Sequence, residues 1–293
     1  MQNSSLTAKL ILGTAQFGLK YGINNTKGKP TDTSVDEIFE NSLREGIRTL
    51  DTADAYGNAI DQIGKFHEKS TQKFEIITKF KDVGEEFSFD YWLESTLEKM
   101  NIEMLFCSMF HSTNDYFTKP HLLDLLLDFC NKGLVKYIGV SIYTNEQFEK
   151  VIDDPSVQLI QLPYNLLDNM NQRGDLIKKA KANNKIIHVR SVFLQGLFFM
   201  DIDKLPIRLK PLKAELEYLQ HIVKESNISM QTLALKYVAS NTDIDGILIG
   251  VDNINQLQDN IESLNMKIPQ TIINHINSIS TQHLELLNPV NWA

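Results

Sequence analysis

Short apolar and β-branched runs alternate along the chain with longer stretches of helical spacing. The runs are Leu10–Gly13, Arg48–Leu50, Phe74–Thr78, Met104–Phe110, Val135–Val140, Gln158–Gln161, Ile186–Val189 and Gly246–Ile249, and each reads as a strand. From the first to the seventh they recur about every 29 residues, the length of one strand–helix unit. Between the first two runs, Ser34–Glu45 sets Val35, Ile38, Phe39 and Leu43 on one face and Asp36, Glu37 and Glu40 on the other. That is the 3.6-residue period of an amphipathic helix. Comparable patterns predict helices over 89–100, 119–132, 170–182, 212–226, 230–239 and 253–265. Strand and helix in regular alternation predict a parallel sheet.

A length of 293 residues suits either two domains or one closed barrel, which typically takes about 250 residues. No linker, low-complexity tract or composition shift divides the chain, so one domain spanning 1–293 is expected. An open doubly wound sheet would carry a glycine-rich dinucleotide fingerprint after its first strand. Here that position reads L-I-L-G-T-A-Q-F-G over Leu10–Gly18, and no helix start is expected before about Thr33. The predicted fold is therefore α/β, a (β/α)8 TIM barrel. The widest gap between strands holds an apparent insertion from Gln195 to about Pro211, placed to cover the barrel mouth.

Composition narrows the class of function. The 29 basic against 37 acidic side chains give a net charge of −8, which repels a phosphate backbone, and no basic stripe with interleaved aromatics offsets it, so no nucleic-acid partner is expected. No run approaches the roughly 18 apolar residues of a membrane helix, and Met1–Lys9 is too short and polar for a signal peptide. A cytoplasmic protein is expected. Cys107 and Cys130 lie in apolar runs, which argues against a disulfide framework. His67, His121, His188, His221, His275 and His283 show no ligand spacing, so no metal is expected.

In such barrels the chemistry sits where strands end, and the residues closing the apolar runs are orderly. They are Asp51, Lys79, His111, Ser141, Gln161 and Arg190, with Tyr56 five residues beyond Asp51. These types suit proton donation to a carbonyl oxygen during hydride transfer. A phenol with a pKa of about 10 is a weak acid at neutral pH, and an adjacent ammonium is expected to lower it. Lys79 would be that cation, with Asp51 keeping it charged and His111 orienting the carbonyl. Phe17, Tyr21, Tyr164 and Phe193 follow strands at the same end and are expected to wall a substrate pocket. Leu197, Phe198, Phe199 and Met200 either cover the cofactor as an apolar lid or pack against a helix.

The ordered motifs L-G-T-A-Q-F-G at 12–18, G-I-R-T-L-D-T-A-D-A-Y-G at 46–57, I-T-K at 77–79, His111, I-G-V-S at 138–141, Q-L-P-Y-N at 161–165 and R-S-V-F-L-Q-G at 190–196 span nearly the whole length. With them the chain resembles the aldo-keto reductase superfamily. The opening G-T-A-Q-F-G-L-K-Y-G-I is similar to a branch associated with sugar and surface-polysaccharide synthesis. The resemblance implies a catalytic tetrad of Asp51, Tyr56, Lys79 and His111, with Tyr56 as the acid. It also implies NADPH or NADH lying extended across the barrel mouth, its carboxamide held by Ser141 and Gln161. Further cofactor contacts are expected from Gly13, Thr14, Ala15, Arg190, Ser191, Gln195, Gly250, Asp252, Gln256 and Asn260.

Three departures bear on that expectation. Ile142 stands where an asparagine usually follows the serine, and Arg190 stands where an aromatic ring commonly stacks on nicotinamide. Gly250–Asn260 contains no basic residue, although many relatives place one there for the 2′-phosphate, so NADH is expected to serve at least as well as NADPH. Lys210 or Arg208 from the insertion would be the rescuing cations. Only six residues follow Leu287, so the long C-terminal loop of many relatives is not expected, and an open pocket suited to a sugar-like carbonyl follows. Two rivals stay open: a barrel lyase using Lys79 as a Schiff-base amine, and a cofactor-binding sensor subunit with little turnover. Oligomeric state is left open.

Overall fold

Eight apolar runs form eight strands in the computed structural model, which describes residues 6–23, 25, 28–80 and 88–292. They are β1 (Leu10–Gly13), β2 (Thr49–Asp51), β3 (Glu75–Phe80), β4 (Leu105–Phe110), β5 (Val135–Ser141), β6 (Leu159–Pro163), β7 (Ile186–Arg190) and β8 (Gly246–Gly250). Each pairs in parallel with the next, and β8 returns to β1 through Gly13↔Gly250. The sheet is thus a closed barrel, with helices filling the connections.

Alternation along each strand sorts side chains between two cores. In β3, Ile76 and Phe80 face outward into the main apolar layer beneath the helices, whereas Ile77 belongs to a small cluster with Ile11, Cys107, Met109 and Leu159. Members of this cluster meet across the sheet register, as in Ile77↔Cys107, so they fill the bore. Two residues beyond the bore-filling positions lie Asp51, Lys79, His111, Ser141, Gln161 and Arg190. The period of two therefore aims the whole polar set at the barrel mouth.

Local signals explain the helices that flank these strands. Thr31 caps Asp32–Arg44 by accepting from Ser34 N, and Ser88 caps Phe89–Met100 by accepting from Tyr91 N. Thr144 and Gln147 form a reciprocal capping box at Asn145–Ile152, satisfying amides that the helix itself leaves open. One expectation is corrected: a short helical turn, Ala15–Gly18, follows β1 directly, well before Thr33. No helix among the described residues is long and apolar enough to cross a membrane.

The insertion after β7 winds through three 3-10 segments, Leu194–Phe199, Ile202–Lys204 and Ile207–Leu212. Leu197, Phe198, Leu205 and Leu209 anchor it in the main core. Most of its apolar run is therefore packing, while Phe199 tilts against Phe193 with ring centroids 5.5 Å apart and reaches the mouth.

Candidate active site

The mouth of the barrel holds a cleft of about 590 Å3, within the range of small-molecule and cofactor sites. Asp51, Lys79, His111 and Tyr56 lie on its floor, and β2, β3 and β4 deliver the first three. The Lys79 ammonium forms an ion pair with Asp51 Oδ1, with the side chains 3% and 1% exposed respectively. Gln161 Nε2 donates to Asp51 Oδ2 at 2.8 Å from β6 on the other side of the bore. The Thr14 N–H and hydroxyl both donate to the Asp51 carbonyl, at 3.0 and 3.1 Å. Thr14 thus supports the floor from behind and does not line the cleft.

Tyr56 is carried by the turn after β2. Its amide donates to Ala53 O at 3.0 Å, Asp54 N bonds to Lys79 O, and Trp92 Nε1 donates to the Asp54 carboxylate at 2.7 Å. A Cβ built on Gly18 would overlap the Tyr56 carbonyl oxygen, so only glycine lets the first loop pack this closely beneath the tyrosine. The Lys79 nitrogen lies 5.7 Å from the Tyr56 ring centroid, and the His111 ring stands edge-on to it at 6.5 Å. The four predicted catalytic side chains are thus brought together.

The electrostatics differ in one respect from the sequence expectation. Burial pushes the Lys79 amine down, but the charge of Asp51, followed by Tyr56 and the hydrogen bond to Asp51, outweighs burial and holds the ammonium above its ordinary value. For Tyr56 the largest influence is Lys79, which lowers the phenol, yet burial and Asp51 together raise it more, and the hydroxyl sits above its ordinary value. Lys79 does act as expected, but its carboxylate partner and burial cancel its effect. The phenol therefore holds its proton firmly at neutral pH.

Among the expected cofactor positions, Gly13, Ala15, Ser141, Gln161, Arg190, Ser191, Gln195, Gly250, Asp252, Gln256 and Asn260 all line this cleft. Gln161 Oε1 is buried without a hydrogen-bond partner. A buried acceptor left open is costly, and a primary carboxamide would satisfy it, so the floor fits a nicotinamide headgroup. At the other end, the N–H of Gln256 is already capped by Asn253 Oδ1 at 3.1 Å, and Asp252 N donates to Gln256 Oε1 at 2.8 Å. Gln231 Nε2 donates to Asn260 Oδ1 at 2.9 Å. Neither Lys nor Arg is among the described residues lining that end, and Arg208 and Lys210 lie exposed outside the cleft.

Two expected substrate contacts are corrected. Phe17 is buried in the helix layer, edge-on to Phe39 at 5.4 Å. Tyr164 stacks on Tyr237 with centroids 5.7 Å apart and also lies in the core. Both follow strands at the active end but turn outward, where aromatic pairing buries them. Tyr21 and Phe193 do line the cleft. Sequence reasoning missed Tyr143, Gln16 and Gln231, together with Asn288, Pro289 and Val290 from the C-terminal segment. Residues 288–290 therefore form part of the wall of the pocket that was expected to stay open. Tyr143 was findable as the aromatic two residues beyond Ser141, whereas nothing local marks residues 288–290.

A model of the aldo/keto reductase family matches residues 9–281. The chain is 23% identical over 273 residues to the NADH-specific methylglyoxal reductase of Escherichia coli K12, covering 80% of this chain and 83% of that protein. It is 29% identical over 140 residues to the chloroplastic pyridoxal reductase of Arabidopsis thaliana, covering 42% of this chain and 38% of that one. In fold it is similar to the aldo-keto reductase AKR11C1 of Bacillus halodurans, with a TM-score of 0.74 at 17% identity over 92% of this chain and 91% of the other. The glycerol dehydrogenase AKR11B4 of Gluconobacter oxydans aligns with a TM-score of 0.73 at 18% identity, over 92% and 90%. With a match from β1 to beyond β8 and a floor that suits a nicotinamide, the chain belongs to the aldo/keto reductase family of NAD(P)H-dependent oxidoreductases.

Proposed function

We propose that the protein reduces an aldehyde or ketone to the alcohol, with Tyr56 as general acid and NADH at least as effective as NADPH. The observation that carries this reading is the buried Lys79–Asp51 pair beside the Tyr56 ring on the cleft floor. A dihydronicotinamide held in this cleft would supply the hydride for the carbonyl carbon. Tyr56 holds a proton at its hydroxyl and releases it to the carbonyl oxygen as negative charge develops there, after which solvent restores it. Lys79 stabilises the phenolate that this leaves, so its charge matters most in the transition state. Asp51 keeps Lys79 charged, and His111 donates to the same carbonyl oxygen.

Ser141 and Gln161 would hold the carboxamide of a bound nicotinamide, the open Gln161 Oε1 offering the acceptor for its NH2 group. Asp252 lines the cleft, and its carboxylate would repel a 2′-phosphate placed beside it, which supports NADH; the E. coli relative is named for that cofactor. Tyr21, Tyr143, Gln195 and Asn288 add polar groups to a pocket wall of mixed polar and apolar character, which suits a sugar-like carbonyl. A Schiff-base role for Lys79 is disfavoured, because the ion pair keeps the amine protonated and therefore not nucleophilic.

Tyr56→Phe tests the assignment. It should lower kcat by orders of magnitude and leave the Kd for NADH, read by cofactor fluorescence, nearly unchanged, since the phenol acts only in the transition state. A variant retaining full turnover would overturn it. Tight NADH binding with negligible wild-type reduction across aldehydes would favour a sensor role instead.

A further inference from the structure

Arg190 ends β7 on the bore-facing side and lines the cleft with Tyr56, Tyr21 and His111. Its guanidinium lies over the Tyr143 ring, 4.2 Å from the centroid. Nη2 donates to Ile142 O at 3.0 Å, and Nη1 reaches Ser191 Oγ at 3.4 Å. A guanidinium carries more donors than these two acceptors use.

The platform beneath it is itself fixed. Arg173 donates to the Tyr143 carbonyl at 2.7 Å while forming two hydrogen bonds with Asp168, at 2.6 and 2.8 Å. The Tyr143 backbone is therefore held in place, and its ring covers one face of the Arg190 guanidinium. The nicotinamide contact expected of Arg190 would have to use the opposite face.

Charge makes the placement informative. Lys79 is paired with Asp51, and Arg173 with Asp168, whereas Arg190 forms no ion pair with a described residue. The reaction centre therefore carries an excess positive charge inside a protein of net charge −8. That charge is felt locally, drawing the hydroxyls of both Tyr56 and Tyr21 toward lower pKa against stronger opposing influences. Asp168 feels the Arg190 charge without touching it, and a half-buried, pre-oriented guanidinium with no carboxylate in contact among the described residues, beside a reacting centre, is the arrangement that recognises an oxyanion by two parallel hydrogen bonds.

We propose that Arg190 recognises an anionic group on the substrate, so that the preferred carbonyl compound carries a carboxylate or phosphate a few atoms from its reacting carbon. The inference rests on the carbonyl-reductase reading and names its substrate class. Two matched pairs test it by kcat/KM with NADH: succinic semialdehyde against butanal for the carboxylate, and glyceraldehyde 3-phosphate against glyceraldehyde for the phosphate.

At least one anionic member should exceed its neutral partner tenfold or more, equivalent to about 1.4 kcal/mol. The preference should lie mainly in KM and shrink with added salt, because the contact is made equally in ground and transition states and is screened. Arg190→Met should bring the ratio close to one, and Arg190→Lys should keep part of it. Ratios near one for both pairs in the wild type, or a ratio that survives Arg190→Met, would overturn the proposal while leaving carbonyl reduction standing. Failure to reduce any of the four compounds would overturn both.

Discussion

Replacing Lys79 by Met separates what the buried ion pair does for the fold from what it does for the reaction. Lys79 and Asp51 are 3% and 1% exposed, so the variant leaves an Asp51 carboxylate in the barrel mouth with one remaining side-chain donor, Gln161. Breaking a buried pair from one side costs about 3–5 kcal/mol, a large part of the roughly 5–15 kcal/mol that stabilises a typical domain. Denaturant melts of the wild type, Lys79→Met, Asp51→Asn and the double variant would measure this, with activity followed alongside. The double variant should recover most of the stability lost in Lys79→Met, since no uncompensated charge remains, and yet stay as inactive as the single one. Loss of less than about 1 kcal/mol in Lys79→Met would refute the reasoning, as would a double variant no more stable than that single one.

Two further predictions concern the cofactor and pH. The kcat/KM ratio should show NADH used at least as well as NADPH. An NADPH preference of about a hundredfold, or 2.7 kcal/mol, would contradict the reading of Asp252 and Gln256. His188 lies two residues before Arg190 in β7, and burial holds its pKa down at about 4 against 6.5 in the free side chain. Between those values the unfolded chain binds the extra proton, so stability should fall as pH drops from 6.5 toward 4, by about 2 kcal/mol from this group at pH 5. His188→Leu should flatten that part of the profile in denaturant melts, and an unchanged slope would show that the imidazole is not the source.

How far the sequence could be read depended on how strongly each feature repeats. The strands were legible to within a residue or two because parallel barrel strands, buried on both faces, appear as short continuous apolar runs. The helix Ala59–Lys69 was not singled out, because buried Gln62 and His67 interrupt its apolar stripe. They are accommodated by bonds no spacing rule reveals: Gln62 to Asp32 at 2.6 Å, and His67 to Met100 O at 2.8 Å with Phe74 N donating to its other nitrogen. Asn145–Ile152 and Gln270–Asn277 went unmarked because eight residues show barely two periods.

The candidate site was legible wherever a strand end fixes direction, as at Asp51, Lys79 and Gln161. Direction fails once the strand stops: Phe17 and Tyr164 sit at the right height but turn into the helix layer. The balance of charges on Tyr56 was not readable either, since it depends on how closely Asp51 and Lys79 approach it and how deeply they lie.

The hydrogen bond from Gln161 to Asp51 crosses the bore from β6 to β2. Neither half of the chain can assemble the reaction centre by itself: one half holds the proton donor and its cation, and the other holds the clamp on their carboxylate. Two separately expressed fragments divided after β4 would each be silent, and turnover recovered on mixing would report ring closure more directly than any spectroscopic measure of helix content.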